Sequence, residues 1–302
     1  MGCPDWPKCW GCWVPPTQLE QVDFAKLDIE VFQKKAQRMG RDPNLISEEI
    51  LRKEFNSRHV WTEFLNRCTS LPIGFFSVAT VTAAIFVTRG RRMILSLALA
   101  SLALVLINAV MGARVVYSGL APGVLTLHMF LAFLLIISLT LVLWLAMEKS
   151  WKQEFAADKN AQWLPIASWA LLVVVLFQGI MGSQIREITD ELSKHQSIPR
   201  TEWGPVLENT LLYLIHRSFS WVIFFLVGAM VWSLKINGWK IHHSGKWVTG
   251  LTLAQMVLGV IMSQIHVYGA VQVLHVGLSA IMVSSCLSWA LSMMRSENPI
   301  DY

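Results

Sequence analysis

His216 and Arg217 stand side by side in LLYLIHRSFSWVIFF (211–225), an otherwise oily stretch. A charge there costs on the order of 2.5–3.5 kcal/mol, so the pair marks a position with work to do. Two further imidazoles lie in equally apolar surroundings, His275 in VQVLHVG and His128 in VLTLHMF. Neutral imidazole is a common ligand of transition metals and a standard axial ligand of haem iron. The Arg217 guanidinium suits a carboxylate such as a haem propionate. A lone membrane histidine more often bonds across a helix bundle, whereas a matched pair points to a metal. Glu63 in WTEFLNR adds an acid three residues before Asn66 and four before Arg67. It suits proton relay or the steadying of a cationic intermediate; its plainer role is an i,i+4 ion pair with Arg67.

The elements that position these residues follow from composition. The chain has 302 residues, 54% hydrophobic and 15% charged, with a mean hydropathy of +0.48. That excludes an ordinary soluble domain. Stretches of about 20 apolar residues long enough to cross a bilayer occur seven times, near 65–87, 93–114, 124–147, 164–184, 210–234, 247–266 and 271–294. The expected fold is all-α and integral to the membrane. A polar segment of about 60 residues precedes the spans, and no cleavable signal peptide is expected. Arg89, Arg91, Arg92, Lys149, Lys152, Lys159, Lys235, Lys240, Lys246 and Arg295 gather in alternate loops and at the end. By the positive-inside rule these lie in the cytoplasm and the N-terminal segment lies outside. The net charge of +5 is largely this belt, so no nucleic-acid partner is inferred. Trp61, Trp163, Trp232 and Trp247 fall near span ends, where indoles favour the lipid–water boundary.

The spans repeat. INAVMGARVVYSGLAPGVLTLH (107–128) aligns with AQMVLGVIMSQIHVYGAVQVLH (254–275), matching Asn108 with Gln255, Gly112 with Gly259 and His128 with His275. A nearly equal shift matches Asn66 with His216 and Arg67 with Arg217. Two pseudo-symmetric four-helix bundles are therefore expected. The partner of span 164–184, which ends FQGIMGSQIRE, is missing from the first, and a helix is expected upstream of Met1. The organisation reads as an outer segment with its cysteines (1–62), a first repeat of three helices (63–147), a cytoplasmic linker (148–163) and a second repeat of four (164–302). At 1.5 Å per residue, His216 and His275 lie roughly 9 and 6 Å below the outer ends of their helices. Imidazoles at matched depth in a four-helix unit can hold a flat cofactor from both sides. In the first repeat His128 faces Asn66, whose amide is a poor iron ligand. One pocket thus reads as closed and suited to electron transfer, the other as half open and reactive. His59, His195, His242, His243 and His266 read as solvated or edge residues.

The opening MGCPDWPKCWGCWVPPT carries three cysteines. Two prolines let Cys3 and Cys9 turn back on one another, and an outside location permits a bridge. Such a pair is either structural or accepts electrons by thiol exchange. Cys12 leaves the connectivity open, and three cysteines lack a fourth zinc ligand. Cys68 and Cys286 read as small apolar residues. Residues 19–58 suggest short amphipathic helices in a solvated, partly ordered outer loop.

CPDWPKC (3–9), WTEFLNR (61–67), LTLH (125–128), IHR (215–217) and VLH (273–275) together resemble the haem A synthase family over nearly the whole chain. The resemblance implies oxidation of the haem O methyl group to formyl, giving haem A for terminal oxidases. It implies haem b between His216 and His275, with Arg217 nearby, and substrate haem O in the first unit. There His128 would be the iron ligand, with Asn66 and Arg67 beside the substrate. Glu63 would be the catalytic acid, and Cys3 and Cys9 the outer cysteine pair. Asn66 departs from the family's usual histidine. The implied setting is a bacterial inner membrane, with the bilayer and haem O synthase as partners and an unidentified electron donor or acceptor. Two other classes compete: a transmembrane b-type cytochrome that uses the same histidines but only carries electrons and has no need of Glu63, and a transporter or haem-binding assembly protein, which the repeats would suit. No clearly broken helix pair supports the transporter.

Overall fold

The computed structural model describes residues 2–3, 5–38, 42–86, 91–147, 162–194 and 199–294. Arg89, Lys149, Lys152, Lys159, His195 and Arg295, all weighed above, lie outside the described residues. Within them the chain is helical, with no strand. The helices are α1 (Ile29–Arg38), α2 (Glu48–Glu54), α3 (Ser57–Cys68), α4 (Ser70–Phe86), α5 (Arg92–Tyr117), α6 (Val124–Ala146), α7 (Trp163–Lys194), α8 (Trp203–Glu208), α9 (Leu211–Ile236), α10 (His243–Gln264) and α11 (Gly269–Ser292). Seven helical stretches are long and apolar enough to span a membrane, α3 and α4 counting as one. Their outward side chains are large and apolar: Phe75, Phe76, Val110, Val173, Phe225 and Val273 are all exposed. In water such a surface would be untenable; in hydrocarbon it is required.

Two departures from the expected spans have local causes. The first span begins inside α3, which starts at Ser57 because the Asn56 side chain caps it by accepting from the amides of Arg58 and His59. Between α3 and α4 the path breaks at Thr69. Pro72 has no amide to give the Cys68 carbonyl, and the hydroxyls of Thr69 and Ser70 instead donate to the carbonyls of Asn66 and Arg67. The fourth span runs ten residues beyond its apolar stretch, to Lys194. Arg186 pairs with Asp190 at i,i+4, 2.7 Å, which supports the extra turns.

The chain forms two compact units, Met1–Arg89 with Leu99–Leu131, and Gly90–Ala98 with Ala132–Tyr302. In the first, the N-terminal segment is not the loosely solvated loop expected from its charge. Cys3, Cys9, Trp10, Val22, Phe24, Phe32, Ala36, Ile46, Leu51 and Val60 form a core of their own. Trp10 sits at its centre, edge-on to Phe32 and Phe55. Its backbone has a φ of +54°, followed by Gly11 at +75°, a combination suited to a two-residue hairpin. Asp5 holds the hairpin: its carboxylate oxygens accept from the amides of Trp10 and Gly11 at 2.7 and 2.8 Å. The same unit closes the α5–α6 turn by seating Gly119 and Leu120 at positive φ.

In the second unit α7 packs against α9 and α11, and α10 packs against the same two helices. The four close a ring in which α9 and α11 stand diagonally opposed. Gly245 lets α10 approach the buried Trp289 of α11, where a Cβ would lie 2.8 Å from the indole.

Candidate functional site

His216 is on α9 and His275 on α11, the diagonal pair, so both side chains meet inside the ring. Their ring centroids are 6.4 Å apart. Half of that separation is about the radius of an imidazole plus a metal–nitrogen bond of roughly 2 Å. Each histidine is backed by a neighbouring helix in the same way. On α7, Gln178 donates from Nε2 to the His216 carbonyl at 2.7 Å, and one turn later Gly182 leaves room for a Cβ only 3.4 Å from His216 Cε1. On α10, Gln255 donates to the His275 carbonyl at 2.9 Å, and Gly259 faces His275 Cε1 at 3.9 Å by the same measure. In the first unit Gly112 faces His128 Cε1 at 3.5 Å, with Asn108 one turn earlier. The glutamines and the faced glycines back the histidines, and of these the repeat alignment had matched only Asn108 with Gln255 and Gly112 with Gly259. The i,i+4 spacing of Gln178 and Gly182, shared with Asn108–Gly112 and Gln255–Gly259, is the signal that finds them.

The chemistry of this donor set fits a haem. Nδ1 of His128, His216 and His275 is buried without a hydrogen-bond partner, an expensive state for a polar nitrogen in an apolar interior. A metal on the other ring nitrogen would leave this Nδ1 as an N–H that still requires an acceptor, so the fit rests on the diagonal pair and the open space beside each ring. The glycines keep the space beside each ring free of a methyl group. Among the described residues no cluster of three or more His, Cys, Asp or Glu could hold a bare metal ion, and a haem needs only the axial pair. His275 is steadied from one turn earlier on α11. Gln272 accepts from Arg186 and donates to Thr189 Oγ1 at 2.9 Å, so the polar end of α7 is bonded to the helix that carries His275.

Arg217 lies at the rim and is ion-paired with Glu208 at 3.4 Å, each side chain about half exposed. Asn66 is exposed on α3. Glu63 and Arg67 are not left open to solvent. Glu63 Oε1 pairs with Arg67 at 2.8 Å, the contact its spacing allows, and Oε2 accepts from the Cys3 amide at 2.8 Å. Arg67 also donates to the carbonyls of Asp5 at 2.9 Å, Lys8 at 3.0 Å and Cys3 at 3.3 Å. Cys3 and Cys9 are joined by a disulfide, with Cα atoms 4.8 Å apart. Together these form a clasp: the bridged loop sits on α3, and the acid and the guanidinium fasten it. Gly2 is packed so closely that a Cβ there would strike Glu63 Oε2. Cys12, Cys68 and Cys286 are free. His59 and His243 are exposed. His266 stacks edge-on to Tyr268, and His242 bonds to Ser244.

These features define a multi-pass helical membrane protein with a paired-imidazole site between diagonal helices and a disulfide-bearing cap. The family described as cytochrome oxidase assembly protein, COX15-CtaA, matches residues 1–287. The chain belongs to this family, the haem A synthase family, and so to haem A biosynthesis. No curated relative and no solved structure matches it significantly.

Proposed function

We propose that the chain is a haem A synthase that oxidises the methyl substituent of haem O to the formyl group of haem A. The single observation that carries this reading is the pair His216–His275, with centroids 6.4 Å apart and each backed by a Gln–Gly turn. They hold haem b, whose contribution when bound is one-electron transfer. His128 and Asn66 belong to the substrate site, where one imidazole without a second leaves haem O more open. The repeated glycine–histidine approach, Gly112 to His128, Gly182 to His216 and Gly259 to His275, supports two pseudo-symmetric bundles, one for each haem. Glu63, oriented by Arg67 and the Cys3 amide, moves protons or steadies positive charge as the substrate methyl carbon is oxidised. The substrate passes from methyl to hydroxymethyl to geminal diol, each step taking one oxygen atom from water and giving two electrons and two protons to an external electron acceptor, and the diol then loses water to leave the formyl group. Arg217, half exposed at the rim, meets a haem propionate, whereas Arg67 serves the substrate site through the Glu63 carboxylate it orients. The N-terminal cap lies outside a bacterial inner membrane and the C-terminus in the cytoplasm, the orientation favoured by the loop charges.

The test is expression with haem O supplied, followed by pigment extraction and a reduced-minus-oxidised spectrum. The wild type yields haem A and a b-type band, whereas Glu63→Ala keeps the band and loses haem A. Normal haem A from Glu63→Ala overturns the role of the acid. One observation favours the electron-carrier alternative: both Glu63 oxygens are already engaged. Only protohaem in the wild-type extract would decide for the carrier.

A further inference from the structure

Three cysteines lie in the cap, and they differ in access. Cys3 and Cys9 are 0% and 1% exposed, so a reductant from solution does not reach their disulfide directly. Cys12 is partly exposed and carries a free thiol. It is the opposite partner of Cys9 in the hairpin that turns at Trp10 and Gly11. The Cys9 amide donates to the Cys12 carbonyl at 2.9 Å, and the Cys12 amide to the Cys9 carbonyl at 3.2 Å. Residues exchanging both bonds in this way hold their Cα atoms roughly 5.5 Å apart, with side chains on one face. That falls inside the range of about 4.4–6.8 Å in which a disulfide closes. With a local shift of the hairpin that draws the Cβ atoms in from about 5.5 Å to the roughly 4 Å of a disulfide, Cys9 can bond to either neighbour, Cys3 or Cys12.

We infer that Cys12 is an exchange thiol that opens the buried Cys3–Cys9 disulfide to an external dithiol, a small molecule or a dithiol protein. The Cys12 thiolate attacks the Cys9 sulfur. The Cys9–Cys12 bond forms, the Cys3–Cys9 bond breaks, and Cys3 leaves as a thiolate that takes up a proton. This step is an isomerisation and needs no outside oxidant. The external dithiol then attacks the accessible Cys12 sulfur, Cys9 leaves as a thiolate and is protonated, and the second thiol of the dithiol displaces Cys12. Two electrons and two protons enter the cap, and the dithiol becomes a disulfide. Cys3 is also the residue whose amide and carbonyl engage Glu63 and Arg67. The exchange therefore acts on the clasp itself.

The experiment uses the intact protein in membranes, treated with graded dithiothreitol, quenched in acid, alkylated and digested with trypsin. Lys8 separates Cys3 from Cys9, whereas no Lys or Arg lies between Cys9 and Cys12. The Cys3–Cys9 form therefore appears as two cross-linked peptides, and the exchanged form as a single 9–26 peptide bearing an internal bridge with Cys3 alkylated. The wild type is expected to show the 9–26 bridged peptide at low reductant. Cys12→Ser and Cys12→Ala are expected to slow reduction of Cys3–Cys9 by on the order of tenfold or more. Both variants should keep that bridge before treatment, which shows that the cap has folded. Reduction at the wild-type rate in both variants, or no bridged 9–26 peptide at any reductant level in the wild type, overturns the inference. Neither outcome depends on haem A production, so the exchange thiol and the proposed activity fail separately.

Discussion

Replacing Arg67 with Ala removes one guanidinium from four partners at once. It forms an ion pair with Glu63 and donates to the carbonyls of Asp5 and Lys8, with a longer bond to Cys3. The Arg67 and Glu63 side chains are 16% and 29% exposed, so water screens the pair only in part. A hydrogen bond to a charged group is worth about 1.5–3 kcal/mol net. The freed Lys8 carbonyl rehydrates, and the ion pair adds about 1 kcal/mol. Taking the two shorter carbonyl bonds at the low end gives a loss of about 3–4 kcal/mol in the closure of the cap on α3. At 1.4 kcal/mol per factor of ten, the cap should open roughly 10²- to 10³-fold more often. Hydrogen exchange followed by mass spectrometry reads this directly in peptides covering residues 2–12, where the amides of Trp10 and Gly11 are bonded to Asp5. Arg67→Lys keeps the charge but not the planar fork and should fall between wild type and Arg67→Ala. Unchanged protection in Arg67→Ala, with α7–α11 protected as in wild type, would refute the clasp.

His216→Ala or His275→Ala, each alone, should abolish the b-type optical band while the protein still inserts. An unaltered reduced spectrum in either would remove the paired-imidazole site. Gln178→Leu and Gln255→Leu each delete one buried side-chain bond to a histidine carbonyl. Bonds of this kind inside membranes are worth about 0.6 kcal/mol, rarely above 1.7, so thermal unfolding in detergent should shift slightly downward. Gly245→Ala places a methyl against Trp289 and should cost about 1–3 kcal/mol by overpacking, visible in the same melt as a larger drop than either glutamine variant.

The spans were legible because hydrocarbon thickness imposes a length that apolar composition reports directly, and α5, α6, α9 and α11 begin and end within a few residues of their expected limits. The start of α3 escaped because a single side chain, Asn56, sets it, and the extension of α7 escaped because IREITDELSK reads as loop until the Arg186–Asp190 pair is seen. The Glu63–Arg67 pair follows from i,i+4 spacing. The Cys3 amide on Glu63 does not, since sixty residues separate them. The cap core was hidden for the same reason: Trp10, Phe32 and Phe55 share no period, and only the folded chain brings their rings together. Among the histidines, depth along the helix brought His216 and His275 to one level. The helix order around the ring, which puts them on opposite corners, depends on packing partners that periodicity does not name.

Because Gly2 is wedged under the Glu63 carboxylate, positions 2 and 63 behave as a single genetic locus despite their distance in the chain. A bulkier residue at position 2, or a fusion that disturbs its path, would be scored in a screen as a lesion of the acid.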